Sequence, residues 1–325
     1  MVEIDLKDRK ILYQLDLNCR QSNAQIGKKV GLSKEVVKYR IKRMENEGII
    51  TFFWTMINTY KLGYNVFRIY ISFQDIGTKV KEDIIQYFVN CRDTWVVISL
   101  KGDIDLDVIF WVKDSGEFYH FWNQTLVKFG KYFGQTVVSS LNQVITYKKT
   151  FLFDEDQTAN REFFRFASGG ETITIDELDY KLLNDLVVNA RIPLTELAEK
   201  LGCSSQTIRY RINNLMKNDI IKAFRVYVDV TKLDLEKFGL SIYLKDHSQR
   251  KAIFDYLAQQ SYLEYVDMAI GWADIQCEVI VKNMGHLLQI MEEINSRFPG
   301  AIRKQTFIVS VKYHKERWLP KMEFK

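Results

Sequence analysis

Residues 195–215 read TELAEKLGCSSQTIRYRINNL, and residues 24–44 read AQIGKKVGLSKEVVKYRIKRM. In the first stretch Ala198, Gly202 and Ile208 stand at intervals of four and six. Two helices that cross closely need a small residue at the crossing. Four positions later the chain must turn, and glycine adopts the positive φ of that turn without a Cβ penalty. An apolar side chain six residues further on then plugs the shared core. The second stretch repeats the spacing with Gly27, Gly31 and Val37. Both therefore read as helix-turn-helix motifs.

The two motifs belong to a longer repeat. Shifted by 171 residues, Ile4–Leu62 lies on Ile175–Leu233 without a gap, and about a third of the positions are identical. Ile4, Asp5, Asp8, Lys10, Leu12 and Leu15 recur as Ile175, Asp176, Asp179, Lys181, Leu183 and Leu186. Arg40, Ile41, Ile49 and Ile50 recur as Arg211, Ile212, Ile220 and Ile221. The chain is an internal duplication.

Within each copy, Asp176 and Asp179 (or Asp5 and Asp8) favour the N-terminus of a first helix. Leu182, Leu183 and Leu186 give that helix a buried face, a short helix Leu194–Leu201 follows, and Ser204 caps the next. The third helix has apolar residues at i, i+4 and i+7: Val37, Ile41 and Met44, or Ile208, Ile212 and Leu215. Its opposite face is free to enter a major groove. That face offers Ser33, Lys34, Lys38, Tyr39 and Lys42 in copy one, and Ser204, Ser205, Gln206, Arg209, Tyr210 and Asn213 in copy two. Gln and Arg pair bidentately with base edges, whereas Lys suits phosphate and guanine. Arg40 and Arg211 hold equivalent positions and are expected to clamp phosphate. The strand-like run Phe52–Ile57 reads as a wing.

The copies differ in charge. Residues 1–50 hold eleven Lys/Arg against seven Asp/Glu, whereas residues 172–222 hold seven of each. Phosphate attraction grows with the charges engaged, so copy one is expected to supply the more salt-sensitive binding.

Behind each motif the hydrophobic pattern gives strand, helix, strand, strand, helix, strand. The first set falls at 66–74, 78–91, 94–102, 104–113, 115–133 and 135–150, the second at 238–245, 248–260, 262–271, 273–282, 284–298 and 302–314. This βαββαβ order is that of a ferredoxin-like unit. The fold class is thus α+β: two winged helix-turn-helix domains (1–57 and 172–228) and two ferredoxin-like α/β domains (58–153 and 229–325) in tandem. A linker is expected at 154–171, although its aromatic run Phe163-Phe164-Arg165-Phe166 predicts packing rather than a free tether. The helix at 115–133 carries Phe118, Tyr119, Phe121, Trp122, Phe129, Tyr132 and Phe133. Core packing is the first explanation for these aromatics and a further assembly interface the second.

Composition narrows the function classes. Hydrophobic residues make up 47% and charged residues 27%, with a net charge of +5, an ordinary and mildly basic balance. The sequence contains no apolar run long enough for a membrane span and no signal-like block near Met1, so a cytoplasmic protein without membrane partners is expected. Cys19, Cys91, Cys203 and Cys277 show no metal-ligand spacing and read as core filler. No metal or cofactor is expected, and no nucleophile set or phosphate loop suggests an enzyme.

The chain resembles the Lrp/AsnC family of regulators. The resemblance rests on I-D-x-x-D-x-K-[IL]-L near each start, on R-I-x-x-[ML]-x-x-x-x-I-I closing each motif, and on the strand leading into Thr59–Leu62. It covers nearly the whole chain, twice. Family members carry one copy and dimerise through the α/β modules, so the resemblance implies a covalent pseudo-dimer bound to double-stranded DNA, with further homo-oligomerisation open. It also implies effector loops of form G-x-x-D, here Gly102 and Asp105 in one copy and Gly271 and Asp274 in the other, for an amino acid or related small molecule. A simple Asp/Gly hairpin turn is the plainer reading of each loop. Two other functions compete. Siroheme decarboxylases look like this fold, but their H-x-Y-x-R stretch is missing, since His120, His247, His286 and His314 are scattered. A ligand- or protein-interaction module with vestigial DNA-binding domains is the other.

Overall fold

Local chemistry sets the helix starts. Asp5 and Asp176 accept hydrogen bonds from the backbone N–H groups of Asp8 and Asp179, and Ser33 and Ser204 cap their helices in the same way. In the computed structural model, which describes residues 4–153, 161 and 163–324, the first half runs α1 (Leu6–Leu17), α2 (Asn23–Val30), α3 (Lys34–Asn46), β1 (Ile50–Ile57), β2 (Asn65–Phe73), α4 (Thr78–Asn90), β3 (Thr94–Lys101), β4 (Leu106–Val112), α5 (Ser115–Phe129) and β5 (Phe133–Tyr147). A short strand β6 (Phe163–Ala167) follows. The second half repeats the order: α6 (Glu177–Val188), α7 (Leu194–Leu201), α8 (Ser205–Lys217), β7 (Ile221–Val228), β8 (Glu236–Leu244), α9 (Arg250–Ala258), β9 (Leu263–Ile270), β10 (Ile275–Val281), α10 (Met284–Arg297) and β11 (Ile302–Glu316).

The three-helix modules have the expected cores: Val37, Ile41 and Met44 are buried, as are Ile208, Ile212 and Leu215. Gly31 and Gly202 make the turns at φ +69° and +66°. A Cβ on Gly27 would lie 2.5 Å from the Leu32 carbonyl oxygen, so the crossing does require a glycine there.

The wing is not a local hairpin. β1 pairs antiparallel with β7, Ile50 opposite Val228 and Ile57 opposite Ile221. This ribbon joins the two helix-turn-helix modules about a pseudo-twofold axis. The first helix of each copy lies against the other copy's strand: Cys19 N–H donates to the Phe224 carbonyl at 2.8 Å, and Ala190 N–H to the Phe53 carbonyl at 2.9 Å. A strand with eight residues and one polar flank satisfies its backbone only by pairing, and the duplicate supplies the partner.

Each α/β unit has the expected βαββαβ order, with sheet orders β5-β2-β4-β3 and β11-β8-β10-β9. The long last strands bridge the units. β5 pairs through residues 133–141 with β2 and through 140–146 with β9. β11 pairs through 302–308 with β8 and through 309–316 with β3. Eight strands thereby close into a ring, with the helices outside. α4 and α5 cover Ile69, Val97, Val108 and Phe110, whereas α9 and α10 cover Leu240, Ile242, Cys277 and Val279. The alternate residues of the same strands face the interior between the two units.

Two expectations need adjustment. Helix 115–133 ends at Phe129, and β5 begins at Phe133. Of its aromatics Phe118, Phe129 and Phe133 are buried, and Phe121, Trp122 and Tyr132 pack against the same core, leaving Tyr119 exposed. Core packing therefore accounts for most of them. Part of the linker segment is ordered: β6 pairs with β5 and Phe166 is buried. Residues 154–160 and Glu162 of that segment lie outside the described residues.

Candidate nucleic-acid interface and effector loops

Ser33 and Ser204 cap the starts of α3 and α8, and the polar face of each helix stays in solvent. Lys34, Lys38, Tyr39 and Lys42 are exposed on α3. On α8, Gln206, Arg209, Tyr210 and Asn213 are exposed, while Ser205 is half-buried and its hydroxyl donates to the Leu194 carbonyl at 3.5 Å. Tyr39 and Tyr210 occupy equivalent positions and keep 67% and 70% of their surface exposed.

Arg40 and Arg211 are used differently from the sequence expectation. Arg40 Nη1 binds both Asp5 carboxylate oxygens at 2.8 and 2.9 Å and Asp8 Oδ1 at 2.9 Å. Arg211 Nη1 binds Asp176 at 2.8 and 2.9 Å and Asp179 at 2.9 Å. Each arginine ties its recognition helix to the start of the first helix, so its charge is already committed within the module. Copy one adds Arg43, 2.5 Å from Asp8 Oδ2; Asn214 stands at the matching position of copy two.

The four loop residues also have packing roles. Gly102 has φ +131°, and a Cβ there would lie 3.0 Å from the Phe307 carbonyl oxygen on β11. Gly271 has φ +102°, and a Cβ would lie 2.4 Å from the Val138 carbonyl oxygen on β5. Each glycine thus lets its loop abut the bridging strand of the other half. Asp105 accepts the Phe73 N–H at 2.8 Å and Asp274 the Leu244 N–H at 2.7 Å, capping equivalent strand ends. Asp105 also faces Lys81 Nζ at 3.8 Å, and Asp274 faces His247 Nδ1 at 3.3 Å. The second loop borders a groove of about 730 Å³ lined by Asn142, Ser168, His247, Lys251, Met268 and Asp274.

The four histidines do not come together. His120 is exposed, His247 faces Asp274, His286 lies at the start of α10, and His314 shares a hydrogen bond with Ser99 at 2.8 Å. No group of metal ligands occurs among the described residues, and none of their helices is long and apolar enough to cross a membrane. Cys19 and Cys277 are buried, as core filler should be, whereas Cys91 and Cys203 are half-buried. One feature was missed in the sequence. Arg68, Asp107, Asp267 and Glu278 alternate with apolar residues in strands and so read as solvent-facing, yet all four are buried.

Residues 4–51 match a winged helix-turn-helix DNA-binding model, and residues 175–216 match an AsnC-type helix-turn-helix model. The proline dehydrogenase transcriptional activator of Rhodobacter capsulatus is 38% identical over 140 residues, 42% of this chain and 91% of that protein. The chain belongs to the Lrp/AsnC family. The regulator Ptr1 of Methanocaldococcus jannaschii is 42% identical over 87 residues, 27% of this chain and 55% of that protein. Among solved structures, the siroheme decarboxylase NirDL has the same fold over the full length of this family member, with a TM-score of 0.65, 11% identity, and coverage of 98% of this chain and 94% of that one.

Proposed function

We propose that the chain is a sequence-specific, DNA-binding transcriptional regulator that works as a covalent pseudo-dimer in the cytoplasm. The observation that carries this is the pair of capped, solvent-facing helices α3 and α8, held about one pseudo-twofold axis by the β1–β7 ribbon. Lys34, Lys38 and Lys42 serve phosphate and guanine in one half-site, while Gln206, Arg209 and Asn213 read base edges in the other. Because the two faces differ, the operator is an unequal inverted pair. Selection from a random double-stranded library followed by footprinting tests this. Recovery of two dissimilar half-sites is expected, and a perfect palindrome or no binding at low salt overturns it.

In this reading an amino acid or related small molecule acts at the α/β units, through the groove beside Asp274 in preference to the loop at Asp105. The His247 imidazole lies beside the Asp274 carboxylate, and the Lys251 ammonium, which also pairs with Asp255, borders the same groove, a set of groups suited to a zwitterion. A thermal-shift screen of the amino acids tests it: Asp274→Ala should abolish the shift that the true ligand gives, and Asp105→Ala should not. The fold shared with a decarboxylase is the one observation favouring an enzyme. Against it stand the dispersed histidines and relatives named as regulators.

A further inference from the structure

Between the two α/β units and beneath the β1–β7 ribbon lies a cavity of about 250 Å³. Its lining is unusual for a space inside a closed ring of strands. Among the described residues, six of the eight buried charged side chains line it. Burying charge is costly unless every group is paired, so such a concentration calls for a reason.

The lining also breaks the duplication. Each of the nine charged residues lining the cavity stands where the other copy has an uncharged one. Arg225 matches Trp54, Glu264 matches Trp95, and Lys149 matches Trp318. At three of these places the charge of one half is a tryptophan in the other, and Trp54 stands directly across the β1–β7 ribbon from Arg225. A homodimer cannot build such a site, because its twofold axis would repeat every charge.

The ion pairs do not balance. Arg225 binds Asp16 at 2.8 Å, Lys149 pairs with Glu264, and Lys237 lies 3.1 Å from Glu278. Arg68 faces two carboxylates, Asp267 at 2.9 Å and Asp107 at 3.5 Å. Asp107 is only 5% exposed, and its Oδ1 has no hydrogen-bond partner. Glu316 also lines the cavity and has no ion pair among the described residues; burial pushes its carboxyl up to about 7, which Lys237 offsets only in part because Glu278 shares it. Two carboxylates, Asp107 and Glu316, are left in excess. They flank β3, opposite Ile98 and Val96 respectively. Two strand spacings and two residues separate their backbones by roughly 12 Å, less between inward-reaching side chains.

Two carboxylates in excess of the cations, with indoles among the lining, match one ligand chemistry. Ammonium groups satisfy carboxylates by charge-assisted hydrogen bonds and are drawn to indole faces, and methylenes bury well against tryptophan. We propose that the cavity binds a short aliphatic diamine, one ammonium on Asp107 and the other on Glu316, its methylene chain against the tryptophans that line the cavity. This site is separate from the groove beside Asp274 and does not depend on what binds there.

Four of the six tryptophans, Trp54, Trp95, Trp111 and Trp318, line the cavity, so indole emission reports on it directly. The full-length protein is titrated with cadaverine, n-pentylamine and glutarate, by emission and by calorimetry. Cadaverine is expected to bind at least about tenfold more tightly than pentylamine, which makes one of the two ionic contacts, and glutarate not to bind. Asp107→Asn and Glu316→Gln should each bring cadaverine down to the pentylamine level, with unchanged circular dichroism. Should Asp107→Asn not fold, Glu316→Gln decides alone, since that residue is only partly buried. No cadaverine binding up to about 10 mM overturns the proposal. So does equal affinity for the diamine and the monoamine, or full cadaverine affinity in the folded variants.

Discussion

The two helix-turn-helix modules keep one scaffold and present two surfaces. Turn glycines, helix caps, the arginine clamp and the exposed tyrosine recur in both. The lysines of α3 do not recur, and residues 172–222 carry no net charge. The same division runs through the α/β units, where outward positions stay apolar in both copies and inward ones diverge in charge. What packs the helix and sheet cores was retained, and the solvent-facing and cavity-facing positions were free to change.

Substitutions that fall on the retained side should hurt most. Gly271→Ala places a Cβ 2.4 Å from the Val138 carbonyl oxygen at a positive φ, and the matching approach at Gly102 is 3.0 Å. Backbone cannot yield as a side chain can, so urea denaturation should show a loss of about 3 kcal/mol for Gly271→Ala and about 1–2 kcal/mol for Gly102→Ala. Equal losses would mean that the loops do not bear on the bridging strands.

On the divergent side, replacing Lys34, Lys38 and Lys42 together by Ala should weaken DNA binding about 100-fold and flatten the salt slope by up to about three. Arg209→Ala should cost about tenfold, relax specificity in one half-site and change the slope by about one at most. Electrophoretic shifts across a salt series separate the two. A similar slope change in both would make the modules equivalent.

A pH series sharpens the comparison inside the ring, where Asp107 stands at the position matching Gln276. Burial, offset in part by Arg68 and reinforced by Asp267, pushes the Asp107 carboxyl up to about 6 from 3.8. The folded state therefore holds this proton more tightly than the unfolded chain. Stability should fall as pH rises from 3.8 to about 6 and stay lower above it. Asp107→Asn, which makes the position amide-like in both copies, should remove that step and gain about 1 kcal/mol at pH 8. A melting temperature at pH 8 below that of the parent protein would count against this.

The smallest effect concerns the clamps. Arg211→Ala leaves Asp179 without its cation, whereas Arg40→Ala leaves Asp8 paired with Arg43. The first should lose about 1 kcal/mol more than the second. Neither should alter the salt slope of DNA binding, as a phosphate contact would.

Elements were legible where their causes are local. Caps, turn glycines and the βαββαβ order each depend on a few neighbouring residues, and all appeared in the sequence. Partners were not. Nothing in Phe52–Ile57 says that β1 pairs with a strand 171 residues on, because a strand shows its need for a neighbour and not its choice. The inward charges were hidden for a related reason. Alternation in Ile275-Gln276-Cys277-Glu278 separates two faces, but cannot tell bulk water from a polar interior. The intramodule role of Arg40 and Arg211 was not visible because each binds residues 32 and 35 positions away. The recurrence of Asp5, Asp8 and Arg40 together in both copies was the available clue.

The bridging strands also set a timetable. β3 ends at Lys101, and the part of β11 that covers its free side begins at Val309. At about 5–20 residues per second, roughly 10–40 s of synthesis pass between the two. For that interval the first α/β unit leaves the ribosome with an open edge, a template for whatever strand arrives first. On a crowded polysome the neighbour is another chain with the same β11. Ring closure is thus a race between a chain's own last strand and that of the molecule ahead, and linked two-chain species are its expected by-product.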